Sequence, residues 1–310
     1  MQFSVYQQTH IGGRKVNQDR MGYSFTREAL LLVLADGMGG HARGEIAAAI
    51  ATQTLSTMFQ EQATPYVKGP ERFLEDAFHA AHREIHRYTE EHKMPESPRT
   101  TIVACLVQHN TATWAHCGDS RLYWMRNGKV HGRTRDHSHV ENMIEKGQIP
   151  ASARATHPDR NKLYNCLGAN SVPRIDISGR ASLLPGDTLL LCSDGLWSMM
   201  TDEEMVQSMS TQTVVRAVPD MLSTALRRAG EGSDNVTALA IMWQGRLVTD
   251  STPTSTQMSS TMISTEGLPD DLVSTTIHGK SEIDAFDDDE IEKAIAEIRG
   301  AIEKSSQILK

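Results

Sequence analysis

No run of apolar residues in this chain of 310 approaches the roughly 20 that a membrane-spanning helix needs, which excludes an anchor of that kind. Residues 1–10 lack a basic segment followed by an apolar one, so no export signal is read, and the expected setting is the cytoplasm, away from membranes. Cysteine is sparse. Cys105, Cys117, Cys166 and Cys192 form no C-x-x-C pair, and three lie in or at the ends of apolar runs; buried reduced thiols are expected rather than structural zinc ligands. None begins a C-x5-R loop, which removes thiolate chemistry on phosphate esters, and no G-x4-G-K-[ST] or H-E-x-x-H pattern occurs. A surplus of positive charge is also missing. Of the 31 Lys and Arg only 6 lie beyond residue 245, against 13 of the 39 Asp and Glu, so the last fifth carries −7 of the net −8. A nearly neutral body without a basic stripe argues against nucleic acid as a partner.

The acidic end also differs in composition. Thr249 to Thr265 holds 11 Ser or Thr in 17 residues and no aromatic, too little apolar surface to offset the ordering of the chain. The expected division is a body over 1–245, a flexible Ser/Thr-rich acidic linker over 246–286 and an amphipathic helix over 287–310. In that last segment Asp287 to Glu290 suit a helix N-terminus, and Ile291, Ile295, Ile298, Ile302 and Leu309 form one apolar stripe. The stripe suits docking on the body or on a partner.

Four places in the body share a pattern. Leu30 to Ala35 is an unbroken apolar run that stops at Asp36-Gly37, as expected of a strand buried on both faces. Ile102 to His116 leads to Cys117-Gly118-Asp119-Ser120, and Leu189 to Cys192 leads to Ser193-Asp194-Gly195. Asp234 immediately precedes the run Val236 to Trp243. Helices are expected over Gly44 to Gln62, Glu71 to His92, Ser138 to Lys146, Asp202 to Met209 and Val214 to Ala229. Thr100 to Val107, Thr111 to Cys117 and Arg121 to Arg126 read as short strands separated by His109-Asn110, Gly118-Asp119 and Asn127-Gly128, of which the Asn-Gly pair is a hairpin signal. Antiparallel strands followed by helices imply a layered α+β domain. Gly147 to Ser171, with few apolar residues, is expected as a long excursion over the surface.

One Asp-Gly pair is ordinarily just a turn. Four strand-end carboxylates without lysine partners repel one another, and the usual remedy is a divalent metal, here magnesium or manganese because the donors are oxygen. Two such ions serve phosphoryl transfer. Arg14, just before Asp19, is the candidate cation for the phosphate. His79, His82 and His86, at helical spacing, read as a solvated helix face.

The motifs R-x-x-N-Q-D at Arg14 to Asp19, D-G-M-G-G-H at Asp36 to His41, G-D-S-R at Gly118 to Arg121, D-H-S at Asp136 to Ser138, S-D-G-L at Ser193 to Leu196 and D-N-V-T at Asp234 to Thr237 occur in this order. In that set the chain resembles the metal-dependent protein phosphatases of the 2C type, in their bacterial form. The resemblance implies an antiparallel β-sandwich flanked by helix pairs, four layers in the order αββα. It also implies hydrolysis of phosphoserine and phosphothreonine by water activated at a binuclear Mn2+ or Mg2+ centre. Asp36 would bridge the two metals, Gly37 would offer its carbonyl to one, and Asp194 and Asp234 would complete the coordination of the first metal. Asp119 would hold a third, weaker ion, Asp19 would act mostly through water on the metals, and Arg14 would bind the phosphate. Gly147 to Ser171 would be a flap beside the site. Partners would be phosphorylated Ser/Thr proteins and a cognate Ser/Thr kinase. Two positions depart from the pattern: Gln18 stands where many members have glutamate, and Met38 where eukaryotic members carry a histidine that protonates the leaving group. His41 is one candidate replacement and metal-bound water the other. The competing expectation is a catalytically silent relative that binds phosphoproteins.

Overall fold

Ala29 to Asp36 becomes strand β3, and both its faces are packed because two different cores claim alternate residues. Ala29, Leu31, Val33 and Ala35 face a layer of helices, while Leu30, Leu32 and Leu34 face a second sheet. The computed structural model describes residues 1–38, 43–154, 157–245 and the backbone of 277–278.

Around β3 (Ala29–Asp36) lie β2 (Asp19–Phe25), β4 (Ile102–Gln108), β5 (Thr111–Cys117) and the short β8 (Asp176–Ile177), in the order β2-β3-β4-β5-β8, with β9 (Ala181–Ser182) also on β5. The second sheet runs β12-β1-β11-β10-β6-β7. It is built from β1 (Gln2–His10), β6 (Arg121–Arg126), β7 (Lys129–Arg133), β10 (Thr188–Cys192), β11 (Val236–Gly245) and the two-residue β12 (Ile277–His278). Every pairing is antiparallel. The β4–β5 hairpin turns through His109 and Asn110 and the β6–β7 hairpin through Asn127 and Gly128, all four at positive φ, the signature of the two-residue turn whose twist matches the strands.

Helices α1 (Gly44–Gln62) and α2 (Pro70–Glu91) cover the first sheet. On the outer face of the second lie α4 (Asp194–Trp197), α5 (Asp202–Thr211) and α6 (Val214–Ala229); α3 (His139–Glu145) opens the excursion. With a third core between the sheets, the layers run αββα, as expected. Helix α2 buries Phe73, Leu74, Ala77, Phe78, Ala81 and Ile85 on one stripe, while Tyr88 is half-buried and stacks on His92. All four cysteines are buried and unpaired. No described helix is long and apolar enough to cross a membrane. Apart from β12, which adds to the edge of β1, the linker and the helix expected over 246–310 lie outside the described residues.

The link from β5 to β6 positions the site. Gly118 to Ser120 do not close a hairpin; they carry the chain from one sheet to the other, which leaves Asp119 at the end of the sandwich. Gly118 must be glycine here. Its φ is +113°, and a Cβ would lie 2.6 Å from that of Thr101.

Candidate active site

Asp19 and Asp36 are directly opposite in the β2–β3 register, and the alternation of their strands puts both on the inter-sheet face. Like charges at a cross-strand pair are destabilising by themselves. The other sheet contributes two more. Asp194 opens α4 just after β10, Asp234 precedes β11, and a Cβ on Gly195 would come within 2.0 Å of the Asn235 carbonyl, so only glycine lets the two segments approach this closely. Asp119 arrives on the crossover. Asp36, Asp119, Asp194 and Asp234, with Gly37, Gln18 and Arg14, line one cleft of about 170 Å3. Asp19 is buried beneath.

The carboxylates bear the marks of this crowding. Burial, then the charge of Asp19, Asp194, Asp119 and Asp234, holds Asp36 well above the usual carboxylate range. Asp119 is held up by burial and by Asp194. Asp194 is raised to about 7 by burial and then by Asp234. Asp19 is raised to about 6 by burial, despite hydrogen bonds to its charged form. Ser193 Oγ donates to Asp19 Oδ2 at 2.8 Å, yet the buried Asp19 Oδ1 has no hydrogen-bond partner. An unpartnered buried carboxylate oxygen within an all-oxygen, lysine-free donor set fits a hard divalent cation.

Arg14 is the cation at the rim. Its guanidinium is half-exposed and donates to Asp234 Oδ2 at 2.6 Å; that contact raises its pKa. Met38 also lines the cleft. No histidine does so among the described residues, and His41 lies outside them.

Four contributors were not singled out in the sequence. Ser193 is fully buried and joins the two sheets: besides holding Asp19 it accepts the Thr237 N–H at 3.1 Å. Its place before Asp194 looks like an N-cap, but its oxygen is used elsewhere. Thr101 lines the cleft and sends its N–H to the Asp36 carbonyl at 2.8 Å. Asn161 and Leu163 bring the 147–171 excursion to the cleft. That excursion is tied down at its base. The His139 and Tyr164 N–H groups donate to the Lys162 and His137 carbonyls at 2.9 and 3.0 Å. Leu167 pairs with Thr100, His82 Nδ1 accepts the Gly168 N–H at 3.1 Å, and His86 Nε2 donates to the Ala169 carbonyl at 3.0 Å. The face of α2 expected to be solvated thus holds the end of the excursion, and burial lowers His82 to about 4.

His116, His137 and Asp176 also gather potential ligand atoms within 4.8 Å. The hydrogen bonds argue against a cation there. His116 Nε2 faces the Arg135 carbonyl at 2.6 Å and so carries its proton. His137 Nδ1 accepts from the Gly118 N–H at 3.2 Å and faces the Asn165 amide nitrogen at 2.6 Å, which puts its proton on Nε2, 3.4 Å from Asp176. His137 therefore offers a metal no free nitrogen lone pair, and through its bond to the Gly118 N–H it acts as a polar bracket on that turn.

The protein phosphatase 2C family model matches residues 6–229. The serine/threonine phosphatase stp of Listeria innocua is 30% identical over 230 residues, covering 74% of this chain and 90% of its own. The crystal structure of the serine/threonine phosphatase Stp1 from Staphylococcus aureus superposes with a TM-score of 0.70 at 29% identity, over 77% of this chain and 95% of that one. The catalytic domain of the phosphatase PstP in complex with two manganese ions gives 0.64 at 29% identity, over 77% and 98%. The matched span takes in Asp19, Asp36, Asp119 and Asp194, and the chain belongs to the protein phosphatase 2C family.

Proposed function

We propose that this protein is a metal-dependent phosphatase that hydrolyses phosphoserine and phosphothreonine in proteins. The observation that carries the reading is the convergence of four carboxylates from both sheets on one small cleft, with Asp19 buried beneath and Arg14 at the rim. A catalytically silent binding module would gain nothing from so repulsive a cluster. Asp36 and the Gly37 carbonyl, with Asp194 and Asp234, would hold two Mn2+ or Mg2+ ions, and Asp119 a third. When bound, the ions supply charge neutralisation for the phosphoryl oxygens and a lowered pKa for water. Asp19 keeps Oδ2 fixed by Ser193 and so presents Oδ1. Arg14 binds and orients the phosphoryl group through its planar fork. The test is hydrolysis of a phosphothreonine peptide and of p-nitrophenyl phosphate with and without manganese; turnover unaffected by chelation would reject it.

Arg14→Ala should raise KM about tenfold with a smaller loss in kcat, as expected for a hydrogen bond to a charged group that serves binding. The reverse split would put Arg14 in the chemical step.

The acid cluster also makes stability depend on pH and metal together. Carboxyls whose folded pKa is raised favour the folded protein below their unfolded pKa, and that contribution is lost as pH rises through about 6 for Asp19 and about 7 for Asp194. The metal-free protein should therefore melt at lower temperature at pH 8 than at pH 5.5. Manganese should raise the melting temperature more at pH 8. Calorimetry at both pH values checks this; a metal-free melting temperature that climbs with pH would exclude the cluster as the source.

The cognate partner is a Ser/Thr kinase whose phosphoproteins this enzyme returns to the unmodified state in the cytoplasm. We infer a catalytic unit over 1–245, a linker over 246–286 and, over 287–310, a helix that docks on a partner or on the body. The 1–245 fragment should keep p-nitrophenyl phosphate turnover and melting temperature while losing rate on the physiological phosphoprotein. Aggregation of the fragment, or a melting temperature several degrees lower, would make the tail part of the core.

A further inference from the structure

Strand β1 is paired along its whole length on one side only. β11 runs beside it from Gln2 to His10, whereas on the other side the pairing among the described residues consists of Ser4 with His278 and Val5 with Ile277. A long edge strand is ordinarily guarded by charge, by proline or by a covering element, because its free N–H and C=O groups accept any strand that reaches them. The sequence QFSVYQQTH contains no proline, lysine, arginine or carboxylate. Tyr6 to His10 therefore form an unguarded ladder next to a strand that has already begun to pair.

Two side chains on that stretch call for a partner. Gln7 is fully buried, and neither end of its amide has a hydrogen bond among the described residues; the buried Gln8 Oε1 has none either. By the alternation of β1, Gln7 shares the inter-sheet face with Phe3 and Val5, and Gln8 shares the helix-covered face with Tyr6. Polar groups that lose water without gaining a partner are costly, so both faces of the strand await a hydrogen-bonding neighbour.

We propose that the β1 edge is the docking site for this chain's own tail, residues 272–278, added as an antiparallel strand of which Ile277–His278 is the end. Continuing the register sets Thr276 opposite Tyr6, Thr275 opposite Gln7, Ser274 opposite Gln8, Val273 opposite Thr9 and Leu272 opposite His10. The hydroxyls of Thr275 and Ser274 then face the two unpartnered amides across the strands, where Cβ atoms are roughly 4.5–5.5 Å apart and side chains interact. Val273, Thr275 and Ile277 fall on the inter-sheet face and Ser274, Thr276 and His278 on the other, the alternation of a half-buried strand, and Val273, Thr275, Thr276 and Ile277 are β-branched. A shift of one residue would turn Ile277 off that face.

The connection reaches. Gly245 lies opposite Gln2, so the chain must return to the His10 end, about 26 Å along a nine-residue strand. Residues 246–271 supply 26 links, and a flexible chain of that length has a root-mean-square span of about 28 Å. A second copy of the protein offering its own β1 would have to displace Ile277–His278. The strand also ends opposite Ser4, away from the His10 end that leads to Arg14 and the cleft, so docking leaves the cleft open.

The test uses the full chain, whose four native cysteines are buried. Ser4→Cys with His278→Cys, and Gln8→Cys with Ser274→Cys, should each form a disulfide within one chain in oxidised glutathione, at least tenfold faster than the crossed pairs Ser4→Cys with Ser274→Cys and Gln8→Cys with His278→Cys. The crossed pairs are about 13 Å out of register, beyond the reach of a disulfide. A strand held on one side opens locally, so the second readout is amide exchange rather than melting. Ile277→Pro should speed exchange of the β1 amides that face away from β11 at least tenfold and leave p-nitrophenyl phosphate turnover within twofold. Equal rates for matched and crossed pairs, or β1 exchange unchanged by Ile277→Pro, would overturn the docking site. Disulfides that join two chains rather than one would overturn it in favour of a second copy on the same edge.

Discussion

Asp194→Asn is expected to lower kcat on a phosphothreonine peptide by about three orders of magnitude, a barrier increase of roughly 4 kcal/mol, with the fold intact. The substitution keeps shape and removes charge from a carboxyl that the proposed first ion shares with Asp36 and Asp234. Asp36→Asn should do the same, because Asp36 lies opposite Asp19 and between the two halves of the cluster. Both changes relieve repulsion. The metal-free variants should therefore melt at or above the wild-type temperature at pH 8, even as manganese binding measured by calorimetry weakens. A variant that loses activity and melting temperature together would show that the carboxylate serves folding. One that keeps its rate at saturating manganese would remove it from the centre.

What the sequence disclosed follows from how each element is buried. Strands β3, β4, β10 and β11 are packed on both faces, and double burial writes itself as a continuous apolar run. The acids at the ends of β3, β10 and β11 were visible for the same reason, since a carboxylate bounding such a run stands out. Strands β1 and β2 were not visible. β1 carries Gln7 and Thr9 at buried positions, and β2 alternates only through Met21, Tyr23 and Phe25 around Gly22. Missing β2 hid the cross-strand opposition of Asp19 and Asp36. The chain's passage between sheets at Gly118 to Ser120 was unreadable, because a turn and a crossover use the same residues. Asn161, Leu163 and the bonds from His82 and His86, which span 86 and 83 residues, depend on contacts between segments distant in sequence, which periodicity does not encode.

The largest loss of stability is expected behind the cleft, where Arg121 and Asp136 form a pair with both side chains 3% exposed. Arg121 Nε and Nη2 donate to the two carboxylate oxygens at 2.8 and 2.7 Å, and Nη1 donates to the Tyr123 hydroxyl at 3.0 Å. That hydroxyl donates in turn to Asp202 at 3.0 Å, linking β6 to the start of α5. Removing one member leaves the other charged, buried and unpaired. Asp136→Ala should cost about 3–5 kcal/mol, the usual penalty for breaking a buried pair. At about 2–4 °C per kcal/mol for a domain of this size, the melting temperature should fall by roughly 6–20 °C. Arg121→Met combined with Asp136→Leu removes both charges at similar volume and should recover much of that loss, because neither buried charge then lacks a partner. Recovery in the double variant separates the cost of a stranded charge from the cost of lost packing. If the double variant melts lower than either single one, packing dominates and the pair contributes little through its charge.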